Sequence, residues 1–236
     1  MSIRHGLHEL GRGLWSLLFP NVCLHCRTAL PPSQEPTLCV TCDNTLAETG
    51  FWKLRDNELT DRLLGRLPLT FGAAFYHFRE DTVCQSVVHH LKYYRRPELG
   101  DQFGERFGSV LREVPELRNL DGIVPVPIHP KRLHERGYNQ AGHLAAGLSV
   151  ALKVPSFPDA LVRTSFKGSQ TKKGRLDRLE NVRNSFAIGK GDFTGKHLLL
   201  VDDVLTTGAT LDICGNLLLE HHPGCQVSIA TLAIAG

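Results

Sequence analysis

Leu198-Leu199-Leu200-Val201-Asp202-Asp203-Val204-Leu205-Thr206-Thr207-Gly208-Ala209-Thr210 is the stretch whose reading decides the fold of this chain. Its first four residues are a continuous apolar run, the pattern of a strand buried on both faces of a parallel sheet. Leu211, Cys214, Leu217 and Leu218 then recur at helical spacing. Between strand and helix, Thr206, Thr207, Gly208, Ala209 and Thr210 present hydroxyls and unpaired backbone N–H groups at a helix N-terminus, a seat for a phosphate. Asp202 and Asp203 supply anionic acceptors for sugar hydroxyls or for bound Mg²⁺. A phosphate seat beside a diol seat describes a phosphorylated ribose. An ordinary strand–turn–helix with solvated acids is the alternative, and it leaves the conjunction of acids, threonines and glycine unexplained.

Working outward, strands alternate with helices after Pro68. Strands are expected at Thr70 to Phe78, Gly122 to Val126, Leu198 to Val201 and Gln226 to Ala235. Helices are expected at Thr82 to Tyr93, Gln102 to Arg112 and Asn139 to Leu152, the last with Ala141, Leu144, Ala145, Leu148 and Leu152 inward. The alternation implies a parallel α/β sheet with its ligand site at the carboxyl ends of strands, where Asp202 falls. Residues 1–68 are expected to form a smaller N-terminal segment and residues 69–236 the α/β domain.

In that segment, Cys23-Leu-His-Cys26 and Cys39-Val-Thr-Cys42 are two Cys-x₂-Cys knuckles separated by twelve residues. Four thiolates at this spacing suit a closed tetrahedral site, structural rather than catalytic, for Zn²⁺. Metal binding would supply much of the folding free energy of so small a piece. Disulfides are the alternative, opposed by a cytosolic redox potential. Cys84, Cys214 and Cys225 stand alone on apolar stretches, as buried small hydrophobes do.

The 236 residues are 42% hydrophobic and 22% charged, the balance of a soluble globular protein, and the formal net charge of +3 is too mild to argue for nucleic acid by itself. Ile3, Leu7, Leu10, Leu14 and Leu17 lie near one helical face, while Arg4, Glu9 and Arg12 interrupt any apolar run. The opening stretch therefore reads as an amphipathic helix and as neither a secretory signal nor a membrane span. No other stretch is apolar enough to cross a bilayer, and a cytoplasmic location is expected.

A second chemical segment, Ile123-Val-Pro-Val-Pro-Ile-His-Pro-Lys-Arg-Leu133, reads as a strand running into a proline-stiffened loop that carries Lys131 and Arg132. Arg136-Gly-Tyr-Asn-Gln140 then opens a helix. Cations at a strand end suit a diphosphate, Arg as a bidentate donor and Lys as a point charge. A solvated basic turn is the alternative.

The acidic pair followed by Thr-Thr-Gly-Ala-Thr resembles the 5-phosphoribosyl-1-diphosphate (PRPP) loop of type I phosphoribosyltransferases. The paired knuckles, His-His-Leu-Lys-Tyr at His89 to Tyr93, Pro-x-His-Pro-x-Arg, Arg-Gly-Tyr-Asn-Gln-Ala and that loop, in this order, resemble the competence protein F family over nearly the whole chain. The resemblance implies a type I phosphoribosyltransferase-like parallel-sheet core with a small N-terminal zinc ribbon. It implies that Asp202 and Asp203 bind the ribose hydroxyls, that Thr206 to Thr210 wrap the 5′-phosphate, and that Lys131 and Arg132 contact the diphosphate. It also implies a link to DNA uptake in transformation or to use of DNA afterwards.

Arg163 to Phe186 is polar and occupies the place where these transferases carry a hood over the reacting centre. Gln170, Arg178 and Asn181 fit the family's Gln…Arg…Asn spacing, and Lys172-Lys173 is more basic than the usual family loop. Its cations suit a nucleic-acid backbone, single-stranded or branched DNA, or equally a solvated face. Lys92-Tyr-Tyr-Arg-Arg96 suits stacking on unpaired bases and equally a helix end with favourable charges. Three functions therefore compete: phosphoribosyl transfer from PRPP with Mg²⁺, a non-catalytic nucleic-acid binder that senses PRPP, and a module docking DNA or a competence helicase.

Overall fold

The computed structural model describes residues 21–31, 37–164 and 185–236. The expected helix at Ile3 to Phe19, and Gln170, Arg178 and Asn181, lie outside the described residues.

Two short helices, α1 (Val40–Asp43) and α2 (Glu58–Leu63), precede the first strand, β1 (Phe71–Phe78). There follow α3 (Val83–Tyr93), α4 (Glu98–Leu111), β2 (Gly122–Pro125), α5 (Pro130–Arg136) and α6 (Gln140–Leu152). The chain continues through β3 (Leu161–Arg163), β4 (Phe186–Ile188), β5 (His197–Leu205), α7 (Ala209–His221) and β6 (Gln226–Ala235). β1, β6, β5 and β2 form a parallel sheet in that order, and β3 and β4 pair as a separate antiparallel ribbon.

The expected strands and helices are present, with three differences. Helix α4 starts at Glu98 rather than Gln102, because Pro97 sets the entry backbone and Glu98 and Asp101 suit the positive end of a helix. Strand β5 runs on through the acids to Leu205, since β6 continues alongside it and pairs Asp202 with Thr231 and Val204 with Ala233. The expected loop at Lys131 and Arg132 is helix α5. Pro130 occupies its first turn, His129 Nδ1 accepts the Lys131 N–H at 3.1 Å, and Gly137 ends it at φ +87°. The prolines that read as loop stiffeners act as a helix start.

Leu198 to Val201 have no exposed surface, so β5 is covered on both faces, as its unbroken apolar run requires. Each such side chain contributes roughly 1.5–3 kcal/mol by leaving water. Helix α6 packs on β2 and β5, and α7 on β4, β5 and β6. The α4–α6 contact is close because glycines recur every four residues on one face of α4. A Cβ at Gly104 would run into the Leu144 carbonyl, and one at Gly147 into that of Asp101.

Both sheet edges are covered. Thr49 N–H donates to Phe75 O at 3.0 Å and His77 N–H to Ala47 O at 2.9 Å along β1, while Ile123 on β2 bonds to Pro155 and Phe157. Residues on both sides of Pro68 share one core: Leu59 and Leu63 are fully buried with Phe75 and Phe107. Among the described residues no helix is long and apolar enough to cross a membrane.

Candidate functional site

Asp202 and Asp203 lie where β5 emerges from the covered part of the sheet, half-buried after four fully buried residues. They line a cavity of about 550 Å³ together with Arg132, Arg163, Tyr138 and Thr210. Adjacent carboxylates in a partly dry site cannot both ionise freely. Burial, reinforced by the charge of Asp203, pushes the Asp202 carboxyl up to about 7, against the pull of Lys92 and Arg163. Asp202 Oδ1 accepts the Asp203 N–H at 2.8 Å, and Lys92 Nζ at the end of α3 stands 3.3 Å from Asp203 Oδ1.

The following turn is held from behind. Gly208 takes φ +75°, and a Cβ there would meet Leu63 Cδ2 at 2.8 Å, so only glycine serves both conformation and contact. Arg62 Nη1 donates to Thr206 O at 2.5 Å and Arg66 Nη1 to Thr207 O at 3.0 Å. Arg66 also holds Asp212 Oδ2 through Nε at 3.1 Å and Nη2 at 2.9 Å. With its carbonyls tied back to α2, the turn leaves Thr206 and Thr207 exposed; at the start of α7 the N-cap Gly208 offers no side chain, and Thr207 Oγ1 accepts the Ala209 N–H at a long 3.4 Å. N–H groups at the start of a thirteen-residue helix, with hydroxyls beside them, are the kind of arrangement that suits an anion.

Of the two cations in the expected diphosphate segment, Arg132 lines the cavity. Lys131 does not: its side chain is 79% exposed and stands 4.0 Å from Glu135. Several lining residues were not singled out for this site in the sequence. Lys92, Arg136 and Tyr93 come from a helix end and from α5, with Arg136 Cζ 5.3 Å from the Tyr93 ring centroid. Arg163 ends β3 and stacks on Phe186 at 4.7 Å. The signal for Lys92 was the His-His-Leu-Lys-Tyr phrase, but nothing local ties it to Asp203.

The four knuckle cysteines come together as their spacing requires. Their sulfurs all lie within 4.8 Å of one another, with Cys26 Sγ and Cys39 Sγ 3.6 Å apart. A tetrahedral ion with bonds of about 2.3 Å places its ligands roughly 3.8 Å apart, so the donor set fits a metal. Hydrogen bonding with Thr28 pulls the Cys26 thiol down to about 6, and burial with neighbouring thiols pushes Cys42 up to about 12. Cys84, Cys214 and Cys225 are buried free cysteines. The first knuckle rests on α3 through His25 Nδ1 and Ser86 Oγ at 2.9 Å.

The raised carboxyl of Asp202 has a consequence for stability. Below about pH 4 folded and unfolded chains both keep this proton, between about 4 and 7 only the folded chain does, and above 7 neither does. Stability from this group therefore falls as pH rises from 4 to 7 and then levels. Asp202→Asn should flatten that slope and raise the ligand-free melting midpoint at pH 8, with little change at pH 4. Thermal melts across pH check it; equal shifts at both pH values would contradict the burial of this carboxyl.

Against known proteins, the phosphoribosyl transferase domain family matches residues 133–235. Competence protein F of Haemophilus influenzae is 37% identical over 105 residues, 44% of this chain and 46% of that protein. DNA utilization protein YhgH of Escherichia coli is 32% identical over 141 residues, 57% of this chain and 60% of that protein. The chain thus spans about half the length of these relatives. Competence protein ComFC of Bacillus subtilis is 29% identical over 224 residues, covering 92% of this chain and 88% of that protein. Among solved structures, an adenine phosphoribosyltransferase aligns over 60% of this chain and 72% of its own at 19% identity and a TM-score of 0.39. A parallel core with an acid pair at a strand end, preceded by four clustered cysteines, gives this chain a type I phosphoribosyltransferase-like fold, and its sequence is similar to competence protein F over part of its length and to ComFC over most of it.

Proposed function

We propose that the chain binds a phosphorylated ribose, PRPP with Mg²⁺, in the cavity at the carboxyl end of β5. The observation that carries this is the juxtaposition of Asp202 and Asp203 with the start of α7, whose N-cap is the side-chain-less Gly208, and a basic wall. Thr206 to Thr210 hold the 5′-phosphate through backbone N–H groups and hydroxyls. Asp202 and Asp203 accept from the ribose 2′- and 3′-hydroxyls and give a divalent cation its oxygen ligands. A Mg²⁺ held there by Asp202 and Asp203 would neutralise diphosphate charge. Arg132 donates to the diphosphate, stabilising it as a leaving group during transfer of the phosphoribosyl group to an acceptor. The names of the relatives support a role in competence and DNA utilization.

Zn²⁺ in the four-cysteine site is our reading of the cluster, on the evidence of an all-sulfur donor set at tetrahedral spacing. Purified protein should carry about one zinc per chain. Cys39→Ser should weaken its retention and unfold the knuckles, while the α/β core keeps a cooperative transition at a lower midpoint. Elemental analysis with thermal melts checks it; less than about half an equivalent of zinc, with the knuckles folded, refutes the assignment.

For the sugar-phosphate site, calorimetric titration should show binding of ribose 5-phosphate, and of PRPP when Mg²⁺ is present. Replacing Asp202 and Asp203 together by Asn should abolish Mg²⁺-dependent PRPP binding. Thr207→Val should cost on the order of 1–2 kcal/mol by removing one hydroxyl donor while the backbone cradle stays. If neither ligand binds at millimolar concentration, the reading fails.

One observation favours the second reading, a non-catalytic DNA binder or helicase-docking module that senses PRPP. Tyr93, 63% exposed, lines the cavity with Arg95 and Arg136, and the next residue, Tyr94, is 55% exposed with its ring against His90. On this reading single-stranded DNA stacks on the tyrosines, and Tyr93→Ala weakens an oligonucleotide by roughly 1–3 kcal/mol. Fluorescence anisotropy should show this, with affinity falling steeply as salt rises. No binding at low salt would remove direct DNA contact and leave docking to a partner protein.

A further inference from the structure

Beside the first residue of β1 lie two adjoining hollows that the sugar-phosphate reading leaves unused. One, of about 590 Å³, runs from Trp52 and Leu54 to Val110 and Val114 at the end of α4. The other, of about 520 Å³, continues past Leu64 and Leu67, and the two share Arg55, Thr70 and Phe71. Together they make one cleft with an apolar floor. Leu64 is 80% exposed and Leu54 50%, both among the more exposed large apolar side chains described. Adjacent apolar groups rimmed by charge mark a surface that is built to be covered. The walls differ in sign: Lys53 and Arg55 are basic, and Glu113 and Glu116, which line the same hollow, are acidic. Among the described residues no ion pair uses any of these four.

An occupant that suits this cleft is apolar along one face, with a carboxylate on one flank and a cation on the other. Residues 1–20, outside the described residues, contain that pattern. Ile3, Leu7, Leu10, Leu14 and Leu17 recur at helical spacing. At about 100° per residue, Arg4 falls on one flank of that stripe and Glu9 on the other. The tether is also short enough. Cys23, two residues after Asn21, and Cys42 have sulfurs within 4.8 Å of each other. Asp43 then pairs with Arg106 at 2.6 Å, and Val110 is one turn further along α4. Twenty residues in a helix span about 30 Å, enough to pass from the knuckles along the cleft. We infer that the stripe Ile3 to Leu17 seats in this cleft of its own chain, with Glu9 beside Lys53 and Arg55 and Arg4 beside Glu113 and Glu116. The seating does not depend on what fills the cavity at β5. It does back onto that site, because Arg66, which lines the cleft, also holds Thr207 O at 3.0 Å.

The test uses the full chain and a carbodiimide, which joins a carboxylate to an amine in contact with it. Glu9 is the only acidic residue in residues 1–20, so its links are unambiguous once peptides are read by mass spectrometry. It should join Lys53, and in a mixture of isotope-labelled and unlabelled chains the joined peptides should carry one label only. Trypsin should cut slowly after Arg4 and Arg12 in the parent chain. Leu54→Glu, at a half-exposed position, should speed those cuts at least ten-fold. Glu9→Lys should speed them as well, and Glu9→Lys combined with Lys53→Glu should return the rate toward that of the parent.

No Glu9–Lys53 link, together with cuts that are fast in the parent chain and indifferent to Leu54, overturns the seating. Links from Glu9 to lysines away from the cleft overturn it in favour of another face. Joined peptides that carry both labels overturn it by giving the cleft to a second copy of the chain. If Leu54→Glu fails to fold, the link and the charge exchange decide the matter, and an exchange without rescue counts against the seating.

Discussion

Two adjacent carboxylates at the end of a strand with no exposed surface are the constraint to which the rest of the molecule answers. Sequence order alone forces the repulsion, since Asp202 and Asp203 are neighbours on β5, and burial makes it expensive. The fold meets it with cations from two other elements, Lys92 from the end of α3 and Arg163 from β3, while Arg132 from α5 lines the same cavity. None of these is near the acids in sequence. The parallel order β1-β6-β5-β2 brings the carboxyl ends of the strands and the segments that follow them to one side. The cost of the acids is thus offset by topology rather than by local pairing, as befits a site kept partly unsatisfied for a ligand.

The same arrangement explains why the segment before Pro68 is bound into the α/β core. The turn at Thr206 to Gly208 must expose its N–H groups and hydroxyls, so its carbonyls need partners elsewhere. Arg62 and Arg66 supply them, and Leu63 fills the space that a side chain at position 208 would need. Further back, Trp52 meets Phe75 and Phe107 edge-on, and Arg106 bridges to Asp43 beside Cys42. Through His25 and Ser86 the first knuckle rests on the helix whose far end carries Lys92. The cysteine cluster and the acid pair therefore share a rigid connection, although about 160 residues of sequence separate them.

The sheet was legible because its strands are written in a code that tolerates no other reading. Leu198 to Val201 and Gln226 to Ala235 are too apolar for a surface and too short for a membrane. The cysteine cluster was legible for a similar reason: two Cys-x₂-Cys turns can do little else together. What sequence missed was interaction at a distance. Lys131 and Arg132 are chemically alike and adjacent, yet successive residues on a helix point about 100° apart, so only one reaches the cavity. Reading the segment as a loop hid that distinction, because a loop has no faces. β3 and β4 escaped notice because three residues are too few to show a period, so Arg163 and Phe186 read only as the two ends of the hood segment.

The distribution of charge in the cavity limits what can fill it. Its floor is anionic, at Asp202 and Asp203, and its wall is cationic, at Arg132, Arg136 and Arg163. A simple polyanion satisfies the wall and is repelled by the floor. A neutral sugar satisfies the floor and leaves the wall unpaired. A ligand that carries hydroxyls or a divalent cation at one end and phosphate at the other satisfies both, at a separation set by the rigid sheet. The chain as a whole carries only +3, so this selectivity owes little to global field and depends on a few local groups, of which Asp202, Asp203 and Arg163 are half-buried.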